Sequence, residues 1–270
     1  MRINTNLNAM IATNQMSKNT ALAGSSMEKL STGLRITKAG DDAAGLAVSE
    51  KMRAQIRGME QAERNVQDGI SMVQTAEGAL EEAGNIAQRM RELGVQAGND
   101  TLSAEDRTKV KEELKQLQDE MKNISEETKF NGKQLLNTAG KFTIQAGANS
   151  ETRTITTADL SGIANNLSLT STNISNASEA QSFVKKVDVA LESINAARSA
   201  LGSMQNRLEY TANNLTTSTE NLTAAESRIR DVDVAKEMVT LSKLNILNQA
   251  SQAMVSQAKQ QPESVSQLLR

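Results

Sequence analysis

The sequence predicts a mainly α-helical protein, a long antiparallel helical bundle or coiled-coil rod with a small β-hairpin region and with both chain termini helical and paired. Three observations predict this fold class. Ten of fourteen positions at strict three- and four-residue spacing between residues 184 and 229 are apolar, and so long a seam needs other long helices to cover it. A single proline, Pro262, interrupts the chain. Three Phe, one Tyr and no Trp suit narrow helical seams better than a thick core.

The N-terminal third of the chain predicts two helices with a break between them. Apolar residues recur weakly among Asn, Ser and Thr over residues 3–34, which indicates the first helix. Gly40 and Asp41 then indicate a turn, with Asp41 as the expected N-cap of the second helix. From Met52 the three- and four-residue pattern predicts a helix of about 50 residues, or about 75 Å, that ends near Gly98.

Two motifs frame the next helix. Ser103 and Asp106 have the spacing of a capping box, and apolar residues recur from Val110 to Ile124. The pair Asn131–Gly132 is a turn signal. We therefore predict a helix between the capping box and this turn.

In the middle of the chain the apolar period changes from 3.6 to 2. Phe142 begins an alternating stretch, residues 147–150 offer a turn, and residues 152–157 are rich in β-branched side chains, so we predict a β-hairpin. Residues 158–176 are rich in Ser, Thr and Asn without a clear period, which predicts a loop.

The C-terminal part predicts two further helices. Ser178 is the expected cap of the long seam helix, in which Leu208 occupies a position that should be buried. A helical pattern resumes near residue 234 and continues to the end of the chain.

The composition argues against an enzyme. The absence of His and Cys removes the commonest general base, the thiol nucleophile and the usual zinc ligands. Asp41–Asp42 and the pair Asp231 and Asp233 lack the spacing of an EF-hand loop, and we interpret them as caps or solvated turns. We therefore predict no catalytic site, no metal and no cofactor.

Charge and hydropathy exclude two kinds of partner. A net charge of −2 gives no basic surface for nucleic acid. No apolar run approaches the roughly 20 residues that span a bilayer, so membrane insertion is not expected. The first eight residues are too polar for the apolar core of a cleaved signal peptide, so any export would read another signal.

Both chain ends predict amphipathic helices whose apolar stripes need partners. Ordering about 80 terminal residues costs on the order of 120 kcal/mol of conformational entropy, which two thin stripes rich in Asn and Ser do not offset alone. We therefore expect the ends to pair with each other or with neighbouring copies. The predicted polymerisation seam consists of Ile3, Leu7, Ile11, Leu244, Leu247, Met254, Val265, Leu268 and Leu269.

Two stretches near the chain ends resemble the terminal signatures of a known family. One comprises Ser31–Ile36 and Ala39–Ala47, and the other is Glu220–Asp233. Together with Phe130–Asn131–Gly132 and the ending Leu268–Leu269–Arg270, they resemble bacterial flagellin over most of the chain. With only about 35 residues in the middle where many members of the family carry large outer domains, the chain resembles a short form of the family.

The resemblance implies a domain organisation and a function. Residues 1–40 and 233–270 would form the two halves of an inner filament-core domain. A rod domain would contain helices in 41–140, the hairpin and loop region in 141–177 and the long helix in 178–232. The implied function is a structural subunit that polymerises into the flagellar filament for swimming motility, through coupled folding and helical self-assembly of the terminal helices.

The resemblance also implies partners and a location. Besides other copies of itself, these are the family's export chaperone at the C-terminal helix and the filament-cap and hook-junction proteins. Residues 88–96 resemble the segment recognised by the flagellin-sensing Toll-like receptor of animals, which implies Arg89 and Leu93, with Glu113 on the next helix, as receptor-recognition residues. The implied location is the extracellular filament, reached without a cleaved signal peptide.

One alternative function remains open from the sequence. The cytoplasmic hairpin of a bacterial chemoreceptor is also a long helical rod with heptads, rich in Ala, Glu and Gln. That interpretation does not account for the hairpin predicted near residues 142–157 or for the two terminal signatures.

Overall fold

The computed structural model describes residues 6–167 and 174–268, with side chains described as far as Gln260. These ranges contain six helices and four short strands, so the predicted mainly α fold with a small hairpin region is confirmed. In chain order the elements are α1 (Leu7–Thr32), α2 (Ala43–Ala97), α3 (Ala104–Glu127), β1 (Lys129–Phe130), β2 (Lys133–Gln134), β3 (Lys141–Gln145), β4 (Thr152–Thr156), α4 (Leu160–Asn166), α5 (Ala177–Arg230) and α6 (Val234–Leu268).

The chain divides into two compact units. The terminal unit contains the residues up to Ala54 together with those from Asn221 onward, and the central unit spans Gln55–Glu220. The division passes inside α2 and α5, so each unit contains part of both long helices. The predicted inner domain, residues 1–40 with 233–270, and the predicted rod domain, residues 41–232, stay predictions.

Within the central unit, α2 and α5 run antiparallel. Arg91 of α2 forms an ion pair with Asp188 near the start of α5, with 2.7 Å between Nε and Oδ1. Glu63, earlier in α2, accepts a hydrogen bond from Thr216 Oγ1 near the end of α5 at 3.3 Å. Residue numbers thus fall along α2 as they rise along α5, so the two helices are antiparallel.

The seam predicted along α5 is confirmed at every seventh residue. These buried side chains are Val187, Ile194, Leu201, Leu208 and Leu215. The intervening positions differ by one residue, because Phe183 and Ala190 are buried while Val184 and Leu191 are only half-buried. The predicted seam is therefore present, but the order of its spacings is reversed: the buried positions are separated by four and then three residues, where three and then four were predicted.

The α3 segment follows its sequence signals. Ser103 Oγ accepts a hydrogen bond from the Asp106 N–H, and the Asp106 carboxylate accepts one from the Ser103 N–H, so the predicted capping box is present. At the far end, Asn131 and Gly132 have positive φ angles of 48° and 77° and form the predicted turn. It joins β1 and β2, a hairpin of two-residue strands that the sequence did not predict.

The predicted longer hairpin is confirmed and packs on α2. Strands β3 and β4 are antiparallel, with Phe142 opposite Ile155. Asn65 Nδ2 of α2 donates a hydrogen bond to the backbone carbonyl of Gln145 at 3.3 Å. A Cβ built on Gly69 would come within 2.2 Å of Ile144 Cδ1, so a glycine there allows the hairpin to approach the helix closely.

The prediction of a continuous loop at 158–176 was wrong. This segment contains α4, and Asp159 caps the helix by accepting a hydrogen bond at Oδ1 from the Gly162 N–H at 2.7 Å. A seven-residue helix is too short to give a periodic pattern in a stretch rich in Ser, Thr and Asn.

Two predicted caps were also wrong. Asp42 caps α2 by accepting a hydrogen bond from the Gly45 N–H at 2.8 Å, whereas Asp41 closes the preceding turn. Ser178 lies inside α5, one residue after its first residue. Either of two adjacent polar residues can cap a helix, and the sequence does not select between them.

Candidate assembly surface

The two chain ends pair with each other, as predicted. Asn6 caps α1 by accepting a hydrogen bond from the Ala9 N–H, and its Nδ2 donates one to the carbonyl of Ala258 in α6 at 2.6 Å. At the other end of the pair, Leu34 forms a β-bridge with Asp231. Helices α1 and α6 therefore run antiparallel within the terminal unit.

Backbone hydrogen bonds join the segment after α1 to the segment before α6. Gly33 ends α1 with a left-handed φ of 72°, and its carbonyl accepts a hydrogen bond from the Val232 N–H at 3.0 Å. The Arg35 N–H donates to the Arg230 carbonyl at 2.6 Å, and the Arg35 guanidinium donates to the carbonyl of Ile229. Arg35 thus satisfies carbonyl groups that α5 leaves unpaired at its C-terminal end.

Charged groups strengthen this junction. Arg230 Nη1 lies 2.6 Å from Glu50 Oε1, and this hydrogen bond lowers the pKa of the Glu50 carboxyl, with Arg53 contributing. The backbone N–H groups of Lys38 and Thr37 donate to the Asp41 carboxylate and lower its pKa. Both groups are therefore charged when the junction is intact at neutral pH.

The seam between α1 and α6 is thin. The buried side chains described on these two helices are Asn19, Ala23, Ser26 and Leu244. Two are polar and one is an alanine, so the pair removes little apolar area from water at roughly 25 cal/mol per Å². This seam alone is a weak source of stability for two helices of 26 and 35 residues.

The outer faces of the same helices are apolar and exposed. We call this set the terminal apolar surface; it comprises Leu7, Met10, Ile11, Leu22 and Met27 of α1 with Val234, Met238, Val239, Ile246, Leu247 and Met254 of α6. Val239 retains 71% of its accessible area. Large apolar side chains grouped on one pair of helices make this surface a candidate interaction site.

A groove between α1 and α6 lies within this surface. It has a volume of about 620 Å³, and its lining combines apolar side chains, including Ile11, Leu247 and Met254, with uncharged polar ones. None of its lining residues carries a charge. Such a groove suits the apolar face of another helix, since no lining charge would lose hydration when the groove is covered.

The predicted seam residues are distributed between the interior and the outer face. Leu244 is buried, whereas Leu7, Ile11, Leu247 and Met254 are exposed. Ile3 and Leu269 lie outside the described residues, and Val265 and Leu268 lie in α6 at positions whose side chains are not described.

Seven residues of the terminal apolar surface were not predicted. They are Met10, Leu22, Met27, Val234, Met238, Val239 and Ile246. The sequence contained a pattern that could have predicted them: apolar residues on these helices occur on more than one stripe, which is typical of a helix covered on several sides.

Two of the three predicted receptor-recognition residues lie together on the surface. Arg89 Nη2 is 3.0 Å from Glu113 Oε1, and both side chains are about half exposed. The Arg89 guanidinium donates hydrogen bonds to the carboxylates of Glu113 and Glu92, and these bonds raise the pKa of Arg89. Leu93, by contrast, is only 2% exposed, so its side chain belongs to the core of the central unit.

The described ranges contain no group of three or more His, Cys, Asp or Glu side chains that could hold a metal ion. Within the same residues, no helix has the length and hydropathy of a membrane span.

Paired long helices with apolar side chains on their surface define a helical structural protein. Comparison with known proteins identifies the family. Residues 3–141 match the bacterial flagellin N-terminal helical region, and residues 184–269 match the bacterial flagellin C-terminal helical region. The chain belongs to the bacterial flagellin family, and it is a structural subunit of the flagellar filament.

Individual relatives agree with the family. The flagellin of Halalkalibacterium halodurans is 53% identical over 274 aligned positions, and that of Bacillus subtilis is 49% identical over 306 positions; each alignment covers all of both chains. The crystal structure of Bacillus cereus flagellin superposes with a TM-score of 0.52 at 35% identity, covering 60% of this chain and 94% of that one. The comparisons give no support to the chemoreceptor alternative.

Proposed function

We propose that copies of this chain polymerise through the terminal apolar surface, and that the terminal helices gain most of their stability when they assemble. The observation that carries the proposal is the contrast between the thin seam inside the α1–α6 pair and the large apolar side chains on its outside. A second copy is the occupant we assign to this surface, because the family is one of filament subunits.

The energetics favour coupled folding and assembly. Burying a Leu, Ile, Val or Met side chain contributes about 1.5–3 kcal/mol. The terminal apolar surface has several such side chains to bury, while the intramolecular seam has one leucine and one alanine. Covering the surface with neighbouring copies therefore supplies the apolar burial that ordering of the chain ends requires.

Other parts of the assembly pathway can be assigned on the same basis. A chain with an uncovered α6 needs shielding before export, which is the role we assign to an export chaperone bound at the C-terminal helix. Filament-cap and hook-junction proteins would meet the same terminal apolar surface at the two ends of the polymer. As part of the filament, the chain would be extracellular. Its export would not depend on a cleaved signal peptide. We assign it no enzymatic activity.

The chain offers a matched pair of valines for testing the surface. Val239 in α6 of the terminal unit is 71% exposed, and Val189 in α5 of the central unit is 63% exposed. Val239→Asp should prevent filament formation while the monomer stays helical, because a charge would have to be desolvated at the subunit contact. Val189→Asp should polymerise far better, since Val189 lies outside the terminal apolar surface.

Polymerisation would be followed by light scattering and negative-stain electron microscopy, with circular dichroism to show that both variants are folded. Ile246→Asp provides a second variant on α6. Normal filaments from Val239→Asp and Ile246→Asp would overturn the proposal, as would equal loss of assembly in Val189→Asp.

A second function is favoured by the Arg89–Glu113 pair. We propose that these two exposed side chains contribute to recognition by the flagellin-sensing Toll-like receptor of animals. The ion pair holds the Arg89 guanidinium in a fixed orientation on the surface, which lowers the entropic cost of using it in an interface. Leu93 would act only indirectly, by packing in the core beneath them.

Arg89→Ala should weaken binding of the monomer to the receptor ectodomain by about 2 kcal/mol, or about 30-fold, if it is central to that interface. Glu113→Ala should weaken it in the same direction. Arg64→Ala is a suitable control, because Arg64 is also exposed on α2 and donates hydrogen bonds to Gln61, three residues earlier. Equal binding of the Arg89 and control variants would refute receptor recognition at this site.

Leu93→Ala is a poor probe, because truncation of a buried leucine costs about 2–5 kcal/mol of stability.

A further inference from the structure

The most exposed and the most buried methionines of this chain lie in different units, whereas Met16, Met52 and Met204 are half-buried. Of the twelve methionines, four retain more than half of their accessible area in the described residues: Met10, Met27, Met238 and Met254. All four lie on α1 or α6 and belong to the terminal apolar surface. Met59, Met72, Met90 and Met121, in the central unit, are at most 8% exposed.

The composition directs oxidants to these side chains. The chain has no Cys, no Trp and no His, and it has a single Tyr. The thioether of methionine is therefore the most readily oxidised group available to a peroxide. Because a buried thioether reacts only when the structure opens around it, the four exposed methionines should react first.

We propose that the terminal apolar surface is a methionine oxidation site, and that conversion of Met10, Met27, Met238 and Met254 to methionine sulfoxide by a peroxide prevents the subunit from joining a filament. The inference rests on the proposed function, since it assumes that this surface becomes covered by another copy. In the step itself, the thioether sulfur attacks one oxygen of hydrogen peroxide and the O–O bond breaks. The sulfur gains that oxygen and loses two electrons, and the other oxygen leaves as water.

The product changes the physical character of the surface. A sulfoxide is polar and accepts hydrogen bonds, whereas the thioether is apolar. Covering the oxidised surface with the apolar face of another helix would remove the sulfoxide oxygen from water, a cost that the thioether does not have. Oxidation should therefore oppose assembly while leaving the central unit folded. Reduction of the sulfoxide should reverse the effect.

The first measurement is the order of oxidation. Monomer would be treated with hydrogen peroxide, and the fraction of each methionine carrying one extra oxygen would be followed by peptide mass spectrometry. The four exposed methionines should react at least about tenfold faster than Met90 and Met121, which react only through opening of the fold. In preformed filaments this difference should shrink. Equal rates in the monomer at exposed and buried positions would overturn the site assignment.

The second measurement is assembly after oxidation. Peroxide-treated wild type should fail to elongate filaments, and treatment with methionine sulfoxide reductases should restore elongation. The variant with Met10→Leu, Met27→Leu, Met238→Leu and Met254→Leu should assemble before treatment and continue to assemble after it. The pairwise variants M10L/M254L and M27L/M238L should each give partial resistance, and they keep the test informative if the fourfold variant assembles poorly.

The two proposals fail in different ways. If untreated wild type forms no filaments, or if Val239→Asp forms normal ones, the proposed function is at fault. If untreated wild type assembles and the oxidised protein assembles equally well, the inference about methionine is wrong. Loss of assembly in the oxidised fourfold variant would also overturn it, because the damage would then lie at another position.

Discussion

The two helix pairs of this molecule are built alike but covered differently. In the central unit, α2 and α5 are accompanied by further elements: Glu113 of α3 reaches Arg89 of α2, and the β3–β4 hairpin lies against Gly69. Leu208 is there completely buried. In the terminal unit, α1 packs against α6, and Val239 remains mostly exposed.

The difference teaches that an amphipathic pattern determines which face of a helix can be buried. The number of elements packed around the helix determines how much of that face is buried. Two helices in contact shield one narrow strip on each, and a wider apolar face needs a third element. The central unit contains that third element in its own chain. In the terminal unit we assign it to neighbouring copies.

The largest effect expected from this comparison comes from placing an aspartate on an apolar position in each region. Leu208→Asp introduces an unpaired charge at a completely buried seam position, so the free energy of unfolding should fall by more than about 4 kcal/mol. Val239→Asp places the same charge on an exposed helix position, where the change should be about 0.5 kcal/mol or less. Urea unfolding of the two monomers, monitored by circular dichroism, measures both. Similar stabilities for the two variants would mean that the seam through Leu208 does not hold the central unit together.

The next effect is a difference in local stability within the wild-type monomer. Amide hydrogen exchange should show opening free energies in α1 and α6 at least about 2 kcal/mol below those of the buried parts of α2 and α5, because the terminal seam contains so few apolar side chains. In filaments the terminal helices should become protected. Equal protection of both regions in the monomer would show that the thin seam is sufficient, and it would remove the energetic argument for coupled folding.

The long elements of this fold were predictable because their signals add over many residues. The α5 seam repeats over several heptads, so a local irregularity such as Arg198 does not obscure it. The capping box at Ser103 and the turn at Asn131–Gly132 were predictable because each has a specific local mechanism. Short elements and the choice between neighbouring caps depend on packing, which explains the errors at α4 and Asp41.

The candidate site was predictable only in part. The sequence predicted that both chain ends form the assembly region, and it placed Leu244 and Met254 on the same stripe. In the structure Leu244 is buried in the seam and Met254 is exposed in the groove. Which apolar residues face the partner helix depends on the rotation of the two helices about their axes, and a pattern with apolar residues on several sides does not define that rotation.

A smaller effect is expected at the capping box of α3. Ser103→Ala removes the acceptor for the Asp106 N–H and should cost about 1 kcal/mol at neutral pH. Hydrogen bonds from the Ser103 hydroxyl and backbone N–H lower the pKa of the Asp106 carboxyl. A lowered pKa in the folded state means that this contribution is complete above the unfolded value of about 4 and is lost as the pH falls through the folded value. Ser103→Ala should therefore lose less stability than wild type on acidification in that range, as thermal melts across pH would show. Parallel pH profiles would contradict this account.

The smallest effect is a gain in stability, and it depends on the space around two glycines of the same helix. Gly78 of α2 has open space where a Cβ would stand, so Gly78→Ala should stabilise the central unit by about 0.5–1 kcal/mol through helix propensity. At Gly94 a Cβ would lie 2.9 Å from Val184 Cγ2 and 3.2 Å from Phe183 Cδ1, where α2 meets α5. The same propensity gain applies to Gly94→Ala, but a fully buried phenylalanine has little room to move, so the substitution should be neutral or destabilising. Urea midpoints of the two variants against wild type test this, and an equal gain at both glycines would show that α2 and α5 can separate there at no cost.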